Sequence, residues 1–311
     1  MNEWVASRVH VAAKTKQQYE WAATHIDAGL GGVRIDRLDR EDVARWLEQL
    51  ASGGVMARRS IVIFRMVLRA ALAGTVDDGR LRRSPAARVG MPRAVVKPDR
   101  RQEVEAWDEN QLNQFLEAIA AHRWSKPIRL EALYGLRRSE LLGLHWKEIN
   151  LTAGTVRIEH ALTEVRGRPV WTAGKNARAH RTIPIDPQTV ATLKAHRKFQ
   201  REERLAAGAN WTECDLFVAT RTGGQVSPGN FDQSLELLVS KAAVPRLTSH
   251  GLRHTAATHM VRHASDLGEI RAIADILGHS PDALMKTYAH VLPESVRTVT
   301  DKIGQRTKRT L

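Results

Sequence analysis

Cysteine occurs once in 311 residues, as Cys214, so the chain can form no internal disulfide and no zinc centre built on thiolates. No stretch approaches the roughly 18 consecutive apolar residues that a membrane span needs. Residues 1–10 hold no apolar core of a secretory signal. A phosphate-cradling P-loop is missing: six residues rather than four separate Gly167 from Gly174-Lys175, and Asn176 follows where Ser or Thr is required. His-Glu-x-x-His is absent too. His250 and His254, like His259 and His263, stand four apart, but no carboxylate or thiol lies close by in sequence to complete a metal shell, so no metal and no cofactor is expected. Acidic residues are the scarcer charge, 34 against 48 basic, which leaves a net charge of +14. With 42% hydrophobic residues the chain is not of the disordered class. These exclusions describe a cytoplasmic protein without a membrane partner. Its basic excess calls for a polyanion, with nucleic acid the first candidate.

The charge is concentrated at the N-terminal end. Up to Lys97 there are 17 basic and 10 acidic side chains, and beyond it 31 and 24, so the shorter part carries the same net +7. Two prolines in Met91-Pro92-Arg93-Ala94-Val95-Val96-Lys97-Pro98 break any helical period, and 93–101 reads as an extended linker between domains 1–92 and 102–311. The first domain reads as a helical bundle. Tyr19, Ala22, Ala23 and Ile26 form one stripe, and Asp39 caps a helix with Val43, Trp46, Leu47 and Leu50 inward. A third helix over 57–76 buries Ile61, Phe64, Val67, Leu68 and Leu72 and sets Arg58, Arg59, Arg65 and Arg69 elsewhere, a candidate DNA-contacting face. In the second domain Asp108 caps a helix over 108–122, and helices follow near 126–134 and 138–145. Period-two runs at 155–160, 170–171 and 181–185, with turns at Gly154 and Gly167, predict one small antiparallel sheet. Helices return over 187–207, 229–242, 249–263, 269–277, 281–289 and 293–303. The fold class is mainly α with a small antiparallel sheet, an α+β arrangement of two domains closing on DNA as a clamp.

Polar residues stand where a bland core has no use for them. Gly135-Leu136-Arg137-Arg138-Ser139-Glu140 puts Arg137 on a tight turn into a helix, with Glu140 one turn on. His250-Gly251-Leu252-Arg253-His254-Thr255 opens an apolar helix with His250 and Arg253 on one face. Leu277-Gly278-His279 ends a helix, and Tyr288 follows nine residues after His279. Lys175 lies in a hairpin loop before Arg181-Thr182-Ile183-Pro184. Alone, each has an ordinary structural reading: a salt bridge, a cap, a turn residue, a packed ring. Together, two Arg, two His, one Lys and one Tyr suit metal-free transesterification at phosphorus. The guanidinium groups neutralise charge on the non-bridging oxygens, and the phenol and the leaving 5′-oxygen exchange protons with neighbours.

On these motifs, in this order, the chain over about 12–300 resembles a tyrosine recombinase of the phage-integrase family. The resemblance implies that Arg137 and Arg253 hold the scissile phosphate, Lys175 is the acid toward the 5′-oxygen, and His250 exchanges the tyrosine proton. It further implies that His279 contacts the phosphate, Tyr288 forms the 3′-phosphotyrosyl link, and Glu140 supports the site. Tyr134 stands where the family often has Thr, read as a packing variation. The expected partners are double-stranded DNA core attachment sites, further copies of the chain in a tetramer joined through the C-terminal tail, and an accessory directionality factor. With the core-binding helix starting near Thr15, no arm-binding domain is expected. Integration or excision of a phage or mobile element is the leading function. Xer-type dimer resolution, type IB topoisomerase-like relaxation and a catalytically inactive DNA-binding regulator are the rivals.

Overall fold

A computed structural model of the chain describes residues 1–54, 56–92, 106–172 and 180–291. The expected linker 93–101, Lys175 and the expected helix 293–303 therefore lie outside the described residues. The chain divides into two compact units, Met1–Glu103 with Val165–Gly167, and Val104–Glu164 with Arg168–Leu311.

The first unit is built of α1 (Asn2–Ser7), α2 (Ala13–Leu30), α3 (Arg40–Ser52) and α4 (Arg58–Asp77). Asp39 starts α3 through a reciprocal capping box with Asp42, each side chain accepting the other's backbone N–H. Phe64 of α4 is fully buried, its ring 4.7 Å from Trp21 and 4.9 Å from His25. Burial of a side chain of that size contributes about 1.5–3 kcal/mol. Arg58, Arg59 and Arg69 are exposed on α4, as their spacing from the apolar stripe requires. Arg65 is half-buried instead, and its Nε donates to the Val89 carbonyl at 2.8 Å, fixing the chain after α4. Helix α1 carries no periodic signal in the sequence. It docks through Trp4 on Tyr19 of α2, ring centroids 5.3 Å apart.

The second unit opens with α5 (Glu109–Ala118), α6 (Ser125–Tyr134) and α7 (Arg138–Gly143). Asp108 caps α5 with Gln111 as predicted, but the helix stops at Ala118, short of 122. The N–H groups of Ile119 and Ala120 turn back to Phe115 and Glu117, and beyond this turn Trp124 packs on Phe231. Strands β1 (Ile149–Asn150), β2 (Thr155–Ile158) and β5 (Arg181–Pro184) form one antiparallel sheet in the order β1-β2-β5, with Val156 opposite Ile183. β3 (Ala161–Val165) and β4 (Arg168–Thr172) form a separate hairpin, so the single expected sheet is two. The hairpin turn has positive φ at both Arg166 and Gly167, the twist a two-residue turn needs. Its residues are mostly exposed or half-exposed. Leu162 is the one residue of the hairpin that is buried, in the core of the unit.

Helices α8 (Pro187–Ala207), α9 (Pro228–Lys241), α10 (Ser249–Arg262), α11 (Leu267–Leu277) and α12 (Pro281–Tyr288) complete the unit. Side-chain caps at Asp186, Ser227, Thr248, Asp266 and Ser280 set their starts. Tyr134 does more than pack. Its hydroxyl donates to Asp186 at 2.6 Å and accepts that residue's N–H at 3.0 Å, joining the end of α6 to the start of α8. Among the described residues no helix is long and apolar enough to cross a membrane.

Two glycines in the left-handed region decide where the site can form. Gly135 ends α6 at φ 64°, and Gly278 ends α11 at φ 62°. A Cβ on Gly135 would meet Leu277 Cδ2 at 2.5 Å. Gly135→Ala is therefore expected to lower unfolding free energy by about 2 kcal/mol or more, combining backbone strain with overpacking. Chemical denaturation measures it, and a loss under about 0.5 kcal/mol would show that the turn tolerates the methyl group.

Candidate active site

The site grows from the two helix ends. Arg253 lies on α10 facing inward and is 4% exposed. Its Nη1 donates to the carbonyl of Gly135 and its Nη2 to the carbonyl of Leu277, the last residues before the helices turn away. Helix C-termini carry partial negative charge, so both carbonyls are well matched to a buried cation. The Nη2 also points at His279 Nε2, 2.9 Å away. Burial, with Arg253, Arg137 and Arg181 nearby, pushes the His279 pKa down to about 4. The ring is neutral at pH 7, with Nε2 accepting and the hydrogen on Nδ1.

Arg137 is the N-cap of α7, and Glu140 is the third residue of that helix. Glu140 Oε2 accepts the Arg137 backbone N–H at 2.9 Å, and Oε1 accepts Nη1 at 2.6 Å. Arg137 Nη2 reaches the Gly278 carbonyl at 3.2 Å. On the other side of the same carboxylate stands Arg181 of β5, donating to Oε1 at 3.0 Å and Oε2 at 2.8 Å, and through Nε to the Ile276 carbonyl at 2.6 Å. Burial alone would raise the Glu140 pKa, but the Arg181 hydrogen bonds and the charges of Arg181 and Arg137 outweigh it and hold it down at about 2. Three guanidinium groups thus face one carboxylate, an excess of two positive charges. The Arg253 pKa falls to about 10 from burial and the neighbouring Arg137 charge. A bound anion would relieve that crowding.

The place for an anion is an open cleft of about 320 Å³ lined by Arg137, Ser139, Thr248, Ser249, His250 and Arg253, with Arg138 and Asp232 paired at its edge. His250 opens into this cleft, one helical turn before Arg253. Burial and the charges of Arg253 and Arg137 lower its pKa, which keeps it neutral at pH 7. Beneath the cleft, Ser249 donates to the fully buried Glu131, whose pKa burial raises to about 8.

Tyr288 ends α12 in a cluster with Ala257, Val261, Ile273, Leu277 and Leu284 and is 4% exposed. Burial raises its pKa, partly countered by the Arg253 charge. Its hydroxyl is hydrogen-bonded to Nδ1 of His254 at 2.9 Å. The sequence reading pairs the tyrosine with His250 and gives His254 no part in this site. Nothing in a helix pattern links residue 254 to residue 288. Arg181 has no role in the sequence motifs, although strand alternation puts it on the face of buried Ile183, where a cation demands a carboxylate. The structure thus brings Arg137, Glu140, His250, Arg253, His279 and Tyr288 into one unit, adds Arg181 and His254, and leaves Lys175 outside the described residues. Arg58, Arg59, Arg65 and Arg69 lie in the other unit.

Of the histidines weighed as metal ligands, His259 bonds the Trp107 carbonyl and His263 pairs with Glu109. Elsewhere, among the described residues, His145, Glu148 and His160 lie close together. There the Glu148 carboxylate already accepts the His145 backbone N–H at 2.9 Å and His160 Nδ1 at 2.7 Å.

Residues 105–295 match the Phage integrase family. The chain belongs to that family. It is similar to a tyrosine recombinase XerC-like protein of Caldanaerobacter subterraneus subsp. tengcongensis, 26% identical over 97% of this chain and 82% of the relative. It is also similar to tyrosine recombinase XerC of Azotobacter vinelandii, 28% identical over 97% of this chain and 88% of the relative. Among solved structures it is similar to the Tn1549 transposon integrase in complex with transposon right end DNA, with a TM-score of 0.79 and 21% identity, covering 97% of this chain and 98% of that one. The fold is that of the tyrosine recombinases, and the activity of the family is site-specific DNA recombination through a tyrosine.

Because Glu140 is ionised at a pKa of about 2 rather than its ordinary 4.5, its stabilisation is complete above pH 4.5 and is lost as pH falls from there toward 2. At pH 7, Glu140→Ala should cost about 3–5 kcal/mol, since it removes the buried carboxylate that Arg137 and Arg181 share. Denaturant titrations at pH 7 and pH 3 read both effects. The gap between wild type and Glu140→Ala should narrow at the lower pH, and an unchanged gap would mean that the carboxylate is not what holds the arginines.

Proposed function

We propose that this recombinase cuts and rejoins duplex DNA at core attachment sites, forming a 3′-phosphotyrosyl link through Tyr288, in the integration or excision of a mobile element. The observation that carries the reading is the convergence of Arg137 and Arg253, fixed by helix-end carbonyls, on one open cleft with an unmatched positive charge. A phosphodiester supplies the missing anion. The trigonal-bipyramidal phosphorus in flight gathers more charge on its non-bridging oxygens than the ground state does, so fixed guanidinium donors lower the barrier. His279, neutral and bonded to Arg253, is assigned a contact with the same phosphate, and His250 opens on the cleft from the preceding turn of α10. Lys175 is assigned the proton for the leaving 5′-oxygen. No energy source beyond the phosphotyrosine bond is needed to reseal the strand. Metal plays no part in this reading.

The basic surfaces of both units, with Arg58, Arg59, Arg65 and Arg69 on α4, are assigned to the DNA around the cleavage point. Strand exchange on two duplexes takes four protomers, with the residues after Val291 assigned to contacts between them and an accessory factor to direction. The setting is the cytoplasm. A second reading, Xer-type resolution of chromosome dimers, is favoured by the names of the curated relatives. A plasmid carrying the element's own end sequences separates the two.

Tyr288→Phe should abolish covalent attachment to a nicked suicide substrate while leaving half-site binding within about twofold, since only a hydroxyl is lost. Arg137→Ala should slow cleavage by roughly 10²-fold or more, the scale of one transition-state donor. Lys175→Ala should be slow on ordinary DNA and recover on a substrate with 5′-bridging sulfur, because a thiolate leaves without a proton. Covalent capture by the Phe variant would remove Tyr288 from its role. Sulfur rescue of Arg137→Ala but not of Lys175→Ala would reverse the assignment of acid and clamp.

A further inference from the structure

A fully buried acid lies beneath the cleft and has no share in the phosphate contacts or proton transfers assigned so far. Glu131 is 0% exposed, on α6 between buried Leu130 and Ala132. We infer that Glu131 is a positioning residue for cleavage: through Ser249 it fixes the first turn of α10, from which His250 and Arg253 meet the scissile phosphate. The inference rests on the reading of the cleft as the phosphate site.

Two links from Glu131 tie α6 to α10. At the first residue of α10, the buried Ser249 donates its hydroxyl to Glu131 Oε1. The backbone carbonyl of Glu131 accepts the Gly135 N–H at 2.8 Å and so closes the turn whose own carbonyl accepts Arg253 Nη1. Ser249 and Arg253 stand four apart, on one side of α10, and both are held by the last turn of α6. His250 follows Ser249 directly and lines the cleft with it. A shift at Ser249 therefore reaches both groups that face the phosphate.

The carboxyl is built to work without charge. Its other oxygen, Oε2, is shut off from solvent and has no hydrogen-bond partner among the described residues. An anion needs donors on both oxygens, whereas a neutral acid tolerates this setting at far lower cost. The charged groups acting on it are Asp232 of α9, Arg138 at the start of α7 and Arg253 of α10. Burial outweighs the Ser249 hydrogen bond and the two arginines and, with Asp232, raises the pKa to about 8. At pH 7 Glu131 is neutral. Once ionised, it places a negative charge under the cleft. That charge cancels part of the surplus that attracts the phosphate, and it competes with the Gly135 and Leu277 carbonyls for Arg253. The position thus gives cleavage an alkaline limit that a space-filling side chain would not.

The test is single-turnover cleavage of a nicked suicide half-site by the full chain from about pH 6.5 to pH 9.5, for wild type, Glu131→Gln, Glu131→Leu and Ser249→Ala. Gln keeps an oxygen for Ser249 but cannot ionise, and Leu removes the bond. Half-site binding and thermal melting establish that each variant is folded. Wild-type cleavage should fall roughly tenfold from pH 7 to pH 9, as does the neutral fraction of a group titrating near 8. Glu131→Gln should lose that fall. At pH 7 it should cleave roughly tenfold faster than Glu131→Leu at equal half-site binding, the scale of one buried hydrogen bond. Ser249→Ala removes a bond that favours the anion, so its fall should move to higher pH whatever its rate. Melting gives a second readout. Unfolded glutamate loses its proton near 4.5 and the folded residue keeps it to about 8, so wild type should lose melting temperature relative to Glu131→Gln as pH rises through that window.

An alkaline fall that persists in Glu131→Gln, or its absence from wild type, would overturn the proposal. So would a gap in melting temperature that stays constant with pH, or cleavage by Glu131→Leu as fast as by Glu131→Gln. Should the Leu variant not fold, the wild-type and Gln pair decides alone. Failure of the phosphate-site reading looks different: wild type would form no covalent complex at any pH, while the melting comparison would be unaffected.

Discussion

A buried guanidinium bonded to two helix-end carbonyls is the constraint from which this site follows. Arg253 can be 4% exposed only because Gly135 and Leu277 turn their carbonyls toward it, and they can do so only because each helix leaves through a glycine in the left-handed region. The same two turns place Arg137 at the start of α7 and His279 just past the end of α11. One cation thereby ties the turn at Gly135 to two segments, at Arg253 and Leu277, that lie more than a hundred residues further along the chain. The cost of burying it is met by oriented dipoles rather than by a countercharge of its own.

Glu140 is the only carboxylate bonded to Arg137 or Arg181 among the described residues, and it serves the two together. The imbalance this leaves is useful. A site neutral by itself would gain little from the proposed phosphate, whereas surplus positive charge in the cleft is what that phosphate would neutralise. Donors held rigid in advance need no reorganisation during the reaction. Burial has a further consequence for the histidines. His250, His254 and His279 are all driven to the neutral form beside the arginines, so they act as acceptors or neutral donors rather than adding to the charge.

Much of this was legible in the residues, and the failures have physical reasons. Asp39 and Asp108 announce helix starts because a carboxylate three residues before a free N–H is a local device, and both capping boxes form. Gly135-Leu136-Arg137 with Glu140 reads as a turn into a short helix for the same reason. What went astray depended on distance. Alternation shows a face but not which strand lies beside it, so period-two runs alone predict one sheet where there are two. The end of α5 at Ala118 is not legible because nothing local in the sequence announces the contact of Trp124 with Phe231. Arg181 looked like a landmark, although its place on the buried face of β5 already implied a partner. His254 was missed because its meaning lies in a contact with a residue 34 positions away.

The central claim is that the arginines act by neutralising charge on the phosphate, beyond their part in holding the fold. Single-turnover cleavage of a substrate with a neutral methylphosphonate at the scissile position measures this directly, compared with ordinary DNA for wild type and Arg137→Ala. Arg137 is the better choice because its side chain is 39% exposed and faces the cleft. The account predicts a loss of roughly 10²-fold or more on the phosphodiester and a much smaller loss on the neutral substrate. An equal loss on both would contradict it, and would make Arg137 a structural element of a site whose chemistry lies elsewhere.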